Sequence, residues 1–331
     1  MHALKSYAGV RISGVFALLL VAALSVGFAE ACTTEEPTAT PVPPTATSVP
    51  PTATSVPPTE APEEAMEPTG EPIRIGTLID ATGDLAAFGP PIVLATDLAA
   101  LLVNEAGGID GRPIEMVHRD SGTSPQIATD AASALVNVDG VEAIVGSLSS
   151  GVTLAVAESV TIPGGAVLVS PASTSPAITN LDDDDTVYRT TVSDALQGVI
   201  AAQLASQLGY DNVATLYINN AYGEGLSTVF ESTFESLGGT VYAAVPIEGG
   251  QASYVSELRQ ASQGGATVLM AISYPETAGV YLREAVEGQF FEEFMFVDGT
   301  KNQEMFDTLG ADSFEGNYGT APGAPGTPTQ E

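Results

Sequence analysis

The sequence predicts an α/β protein of two Rossmann-like, doubly wound parallel-sheet lobes, joined by a hinge with a crevice between them. Three observations carry that reading. From Ile73 onward, short apolar runs alternate with stretches of helical length, separated by short turns rich in Gly, Asp and Ser. Strand followed by helix, repeated, makes a sheet that is parallel and covered on both faces. The alternation pauses over residues 180–186 and then resumes, which puts a boundary near 188–191 and divides the globular part into lobe 1, residues 73–190, and lobe 2, residues 191–318.

In lobe 1 the pattern gives a strand over 73–79 and a helix over 90–105 that Gly107 and Gly108 end. A strand over 113–119 and a helix over 124–137 follow, the helix opened by the cap and first-turn pair Ser124-Pro125. Next come a short buried strand at 143–146, the turn Leu148-Ser149-Ser150-Gly151, a helix over 152–160 and a strand over 165–170. That strand runs into Pro171-Ala172-Ser173-Thr174-Ser175-Pro176. Ser149 and Ser150 precede a helix whose first backbone N–H groups lack partners. With the second hydroxyl-rich turn on the same sheet edge, they make a pocket suited to a carboxylate. Lobe 2 reads as helices over 194–208, 223–237, 253–263 and 276–287, with strands over 213–218, 240–246, 267–272 and 293–297.

Residues 1–31 have the form of a secretory signal: Lys5 and Arg11, an apolar stretch over 15–28, and the small-x-small site Ala29-Glu30-Ala31. Cys32, the sole cysteine, follows at once and can form no internal disulfide. It is read as the lipidated first residue of a lipoprotein, with ordinary cleavage before Cys32 as the alternative. Residues 32–72 are rich in Pro and Thr, carry Pro-Pro-Thr-Ala-Thr-Ser-Val-Pro twice, and form a semi-rigid spacer that holds the globular part clear of a membrane surface.

Forty-one acidic against nine basic residues give a formal charge of −32. No basic stretch could neutralise phosphates, so nucleic acid is excluded as a partner. The Asp182 to Asp185 run lacks the alternating spacing of a calcium loop and reads as solvated. Of two histidines, His2 lies in the signal and His118 in a strand, leaving no pair for a metal or a catalytic triad. With no phosphate-loop, dinucleotide or Gly-x-Ser-x-Gly pattern, the expectation is a protein that is not an enzyme, with neither cofactor nor metal.

A set of short motifs resembles the type I periplasmic binding proteins of the branched-chain amino acid (Leu/Ile/Val-binding) family, the solute receptors of ABC importers. They are Ile75-Gly76, Thr82-Gly83 and Phe88-Gly89; the run from Asn104 to Arg112; Ile144-Val145-Gly146 with Ser149-Ser150; Ser170 to Pro176; Tyr188-Arg189-Thr190; Gln197-Gly198; and Tyr222-Gly223-Glu224-Gly225. The resemblance implies an amino-acid-binding protein outside the cytoplasmic membrane, lipid-anchored at its outer face, delivering its solute to an ABC permease. A ligand-binding sensor module for a small amide or carboxylate is the alternative. It also implies a site. The ligand carboxylate falls to Ser150 as first choice, or to Ser149 one residue earlier. The next turn offers the Ala172 carbonyl and Thr174, with Ser173 between them, and Phe88 lines the pocket. From lobe 2 come Tyr222, Tyr274 and Asp298, the last pairing with the ligand ammonium. Type I folds cross between lobes three times, whereas here the residues after 318 are Pro/Gly/Thr-rich, so 319–331 is expected to be a disordered tail or a truncated return to lobe 1. In that case apolar surface on lobe 1 would be left exposed.

Overall fold

The computed structural model describes residues 68–323. The signal over 1–31, Cys32, all but the last five residues of the spacer, and the tail beyond residue 323 lie outside the described residues.

Lobe 1 comprises β1 (Ile73–Ile79), α1 (Gly89–Glu105), β2 (Ile114–Asp120), α2 (Pro125–Asn137), β3 (Ala143–Gly146), α3 (Ser150–Val156), α4 (Ile162–Gly164), β4 (Val167–Ser170), α5 (Pro176–Thr179) and β5 (Val187–Arg189). Lobe 2 comprises α6 (Asp194–Gln207), β6 (Asn212–Ile218), α7 (Ala221–Ser236), β7 (Thr240–Ile247), α8 (Val255–Ser262), β8 (Val268–Ile272), α9 (Pro275–Glu287), β9 (Glu293–Phe296), α10 (Gln303–Leu309) and β10 (Tyr318–Gly319). The sheets run β2-β1-β3-β4-β5 and β10-β9-β8-β6-β7, with every pairing parallel. Read from its own first strand, each lobe therefore has the order 2-1-3-4-5. Each has its crevice where that order reverses, at the carboxyl ends of β1 and β3 and of β6 and β8.

Local chemistry accounts for the elements. The five residues of β8, Val-Leu-Met-Ala-Ile, are all buried, as a central parallel strand requires. The Asn220 side chain caps α7 by accepting from the N–H groups of Tyr222 and Gly223, and Ser193 caps α6 by accepting from Ala195. Proline stands in the first turn of α1, α2 and α9.

Four details differ from expectation. The helix placed at 152–160 begins at Ser150, so Ser149 takes the cap position, and beyond Val156 it widens into a π turn over Ala157–Thr161 before α4. The boundary region near 188 is itself a strand, β5, paired with β4. The short elements α5, α10 and β10 carry too little periodicity to be read in advance. The last residues of the expected spacer are fastened to lobe 1: Thr69 and Gly70 donate to the Gly111 carbonyl, and the Arg112 guanidinium donates to the carbonyls of Glu71 and Pro72.

Lobe 1 has an aliphatic core built on Leu78, Leu135, Ile144 and Leu168. Lobe 2 adds an aromatic one around Tyr254, Tyr281, Phe291 and Phe294. A third cluster crosses the cleft, packing Ile79, Leu85 and Leu148 of lobe 1 with Tyr222 and Tyr274 of lobe 2. Leu94, Leu98, Leu101 and Leu102 of α1 are all more than half exposed, and among the described residues nothing covers them. No helix among the described residues is long and apolar enough to cross a membrane.

Candidate functional site

Each residue singled out for the site lies in the segment that leads from the carboxyl end of a strand into the next helix. Phe88 follows β1, Ser149 and Ser150 follow β3, Ala172 to Thr174 follow β4, Tyr222 follows β6, Tyr274 follows β8 and Asp298 follows β9. The two switch points face each other and enclose a cavity of about 200 Å³. Lobe 1 lines it with Phe88, Ser150, Ala172 and Thr174 and with the apolar Leu85, Ile92 and Leu148; lobe 2 contributes Tyr222, Tyr274, Asp298 and Gly299.

At the lobe 1 wall the Ser150 Oγ accepts from the backbone N–H groups of Thr174 and Ser175, both at 3.1 Å. The two βα turns are thereby locked together, and the Ser150 hydroxyl, with both of its acceptor positions filled, keeps its O–H free to donate at the start of α3. Ser149 and Ser173 do not line the cavity. The Ser173 Oγ turns inward, 2.8 Å from the Thr153 Oγ1, and donates to the carbonyls of Ser147 and Leu148. The Ser149 Oγ accepts from the Tyr274 hydroxyl at 3.2 Å, a bond between the lobes.

Tyr222 and Tyr274 stack with centroids 5.4 Å apart and planes 12° from parallel, presenting a flat apolar wall. Burial raises both phenols far from ionisation, so they act only as neutral hydroxyls. The Tyr222 hydroxyl donates to the Asp298 Oδ1 at 2.9 Å, and so does the Gln197 Nε2, also at 2.9 Å. Burial pushes the Asp298 carboxyl up, opposed by these two donors. Gly299 is required where it stands: a Cβ there would lie 2.4 Å from the Ser273 carbonyl oxygen and 2.7 Å from the Tyr222 hydroxyl.

Sequence reasoning missed Asp194. It is fully buried at the first position of α6, and its N–H donates to the Thr174 carbonyl at 2.8 Å. Neither carboxylate oxygen has a well-formed hydrogen bond. Burial first, and the Asp298 charge second, push its carboxyl up to about 7, against the pull of the nearby Thr174 hydroxyl and Arg189. In the sequence it is one more acid in a helix's first turn, the commonest place for an acid. The apolar lining of Leu85, Ile92 and Leu148 was missed too, since nothing local separates it from core.

Outside the cavity the lobes meet at Asp84, whose Oδ2 accepts from the Thr277 Oγ1 at 2.9 Å. A Cβ on Gly249 would fall 2.2 Å from that same oxygen.

Two parallel sheets of the same strand order, facing across a polar-ended cleft, define a class of two-lobed binding proteins. Residues 72–331 match the family described as periplasmic binding protein, and the chain belongs to that family, in its type I, branched-chain amino acid branch. It is 28% identical over 253 residues to the leucine-, isoleucine-, valine-, threonine- and alanine-binding protein of Pseudomonas aeruginosa, covering 76% of this chain and 67% of that one. It is 33% identical over 189 residues to BasB of Halobacterium salinarum, a chemotactic signal transduction system substrate-binding protein, covering 55% of this chain and 45% of that protein. The leucine-binding protein LivK of Thermotoga maritima superposes with a TM-score of 0.67 at 26% identity, covering 74% of this chain and 69% of its own.

Proposed function

We propose that this chain is the extracytoplasmic solute-binding protein of an ABC importer, anchored through a lipid on Cys32, and that it captures small aliphatic amino acids by hinge closure. The observation that carries the reading is the polarity of the cavity: the hydroxyl-bearing Ser150 and Thr174 at the lobe 1 wall, the buried Asp298 carboxylate at the lobe 2 wall, and apolar side chains between. A zwitterion meets that arrangement at both ends, with charge-assisted hydrogen bonds that strengthen as closure excludes water. An aromatic or aliphatic acid without an ammonium would leave Asp298 buried beside a second negative charge, which is costly. Because the lobe 1 and lobe 2 contacts are both made only when the cleft is shut, ligand favours the closed form.

Calorimetry tests this with L-leucine, L-valine, 4-methylpentanoate and 4-hydroxybenzoate. Tight binding of the amino acids, with the two acids at least 100-fold weaker, is expected. Preference for either acid would reject the assignment. Lipidation is a separate matter, tested by mass spectrometry of the cell-derived N-terminal peptide for a diacylglyceryl group on Cys32. The similarity to the chemotactic BasB favours a second reading, a sensor module with the same pocket. Radiolabelled leucine uptake in a strain deleted for the gene separates the two, since an importer's loss abolishes uptake and a sensor's loss leaves it intact.

A further inference from the structure

Gln197 sits in the first turn of α6 and is 5% exposed. Its Nε2 reaches two groups that belong to different jobs. One is the Asp298 Oδ1 at 2.9 Å; the other is the carbonyl of Thr320 at 3.1 Å, with the Thr320 Oγ1 at 3.4 Å. Thr320 directly follows β10, the strand by which the chain leaves the lobe 2 sheet, and its own N–H donates to the Phe296 carbonyl, two residues before Asp298. A single side-chain amide therefore clamps the cavity's carboxylate to the departing segment.

Rotation about the last bond of an aspartate is soft, with a broad, two-fold profile, so the plane of an Asp carboxylate is set by what its oxygens meet. In Asp298 one oxygen, Oδ1, takes both donors, Gln197 and the Tyr222 hydroxyl. Two donors at an angle fix the plane. They also leave Oδ2, which accepts no side-chain hydrogen bond among the described residues, as the oxygen available to a ligand.

We propose that Gln197 is a positioning residue for ammonium recognition: by holding Oδ1 of Asp298 against Thr320 it presents Oδ2 to the ligand's ammonium, and so sets the preference for amino acids over the corresponding acids. This rests on the reading of the cleft as an amino acid site. The charged and titratable groups around the clamp are Asp194 on the same helix, Arg189 from β5, Tyr222 from α7, Tyr274 ahead of α9 and Asp298 itself.

The test is calorimetry on the full 331-residue protein with L-leucine and 4-methylpentanoate, which share a side chain and differ by the ammonium. Gln197→Met keeps the shape and removes the donor. It is expected to weaken leucine about tenfold, the cost of one hydrogen bond to a charged group, and to leave 4-methylpentanoate unchanged. Equal loss for both ligands, or none, overturns the proposal. Gln197→Glu guards against a misfolded first variant. Its added carboxylate repels Asp298 at pH 8, and its protonated form restores an O–H donor, so leucine affinity relative to wild type should recover about tenfold between pH 8 and pH 5. A ratio that stays flat overturns the proposal. A wild-type protein that fails to prefer leucine sinks the amino acid reading and this inference with it. A leucine-selective wild type with an indifferent Gln197→Met sinks the inference alone.

Discussion

The two lobes share a strand order and divide the chemistry. Lobe 1 offers hydroxyls from two neighbouring turns that backbone amides tie together, and its core is aliphatic. Lobe 2 offers a buried acid and two stacked phenols on a core rich in aromatics. The difference teaches that a cleft of this kind needs no long-range field to sort a ligand's ends. Despite a formal charge of −32, the hydroxyls of Ser150 and Thr174 can face an anion while Asp298, the acid that lines the cavity, stands on the opposite wall. The lobes also differ in cover. The face of α1 shows four leucines more than half exposed, whereas α7 buries Leu226, Phe230 and Phe234.

The contrast in cover gives the largest expected effect. Phe230→Ala opens a fully buried site where the ring stacks on Phe234, and should cost about 3–5 kcal/mol in urea denaturation. A loss below about 1 kcal/mol would mean that lobe 2 is the looser half. Next is the contrast in chemistry: Asp298→Ala should weaken leucine by a factor of about 100 or more in calorimetry, since among the described residues it removes the only acid lining the cavity and leaves the ammonium there without its direct countercharge. Wild-type affinity in that variant would place the ammonium elsewhere.

The third prediction concerns pH. Asp194 releases its proton near 3.8 when unfolded and at about 7 when folded, so between those values the folded chain holds more protons. Its contribution therefore favours the folded state at low pH and is lost as pH rises through 7. Asp194→Asn should flatten that decline between pH 5 and pH 8 and raise stability at pH 8 by about 1–3 kcal/mol. A steeper decline in the variant would show the carboxylate to be paired after all.

Smaller still is the bond between the lobes. Asp84→Ala removes the acceptor of the Thr277 hydroxyl outside the cavity, and should speed ligand release about three- to tenfold in stopped-flow dissociation with little change in association. Slower release would mean that Asp84 opposes closure. Leu98→Gln on the exposed face of α1 should change the denaturation free energy by no more than about 0.5 kcal/mol. A loss of 2 kcal/mol or more would reveal that this face is covered in solution and that lobe 1 is as well packed as lobe 2.

By itself the sequence determined the β-α alternation, the capping turns and the strand ends on which each chosen site residue falls. These follow from period, from Ser, Asn and Pro at helix starts, and from Gly at their ends, all of which act within a few residues. Only the tertiary structure decided which hydroxyl of each turn meets the cavity. Ser149 and Ser150 are equivalent by composition, yet one bonds to Tyr274 across the cleft and the other to the amides of Thr174 and Ser175. Ser173 turns away for the same kind of reason, because carbonyls of the β3 turn lie beneath it. The roles of Asp194 and of Gln197, the latter named only within a motif, were illegible since they depend on Thr174, Asp298 and Thr320, as far as 123 residues away. A buried polar group takes its meaning from its partners, and partners that distant are chosen by packing.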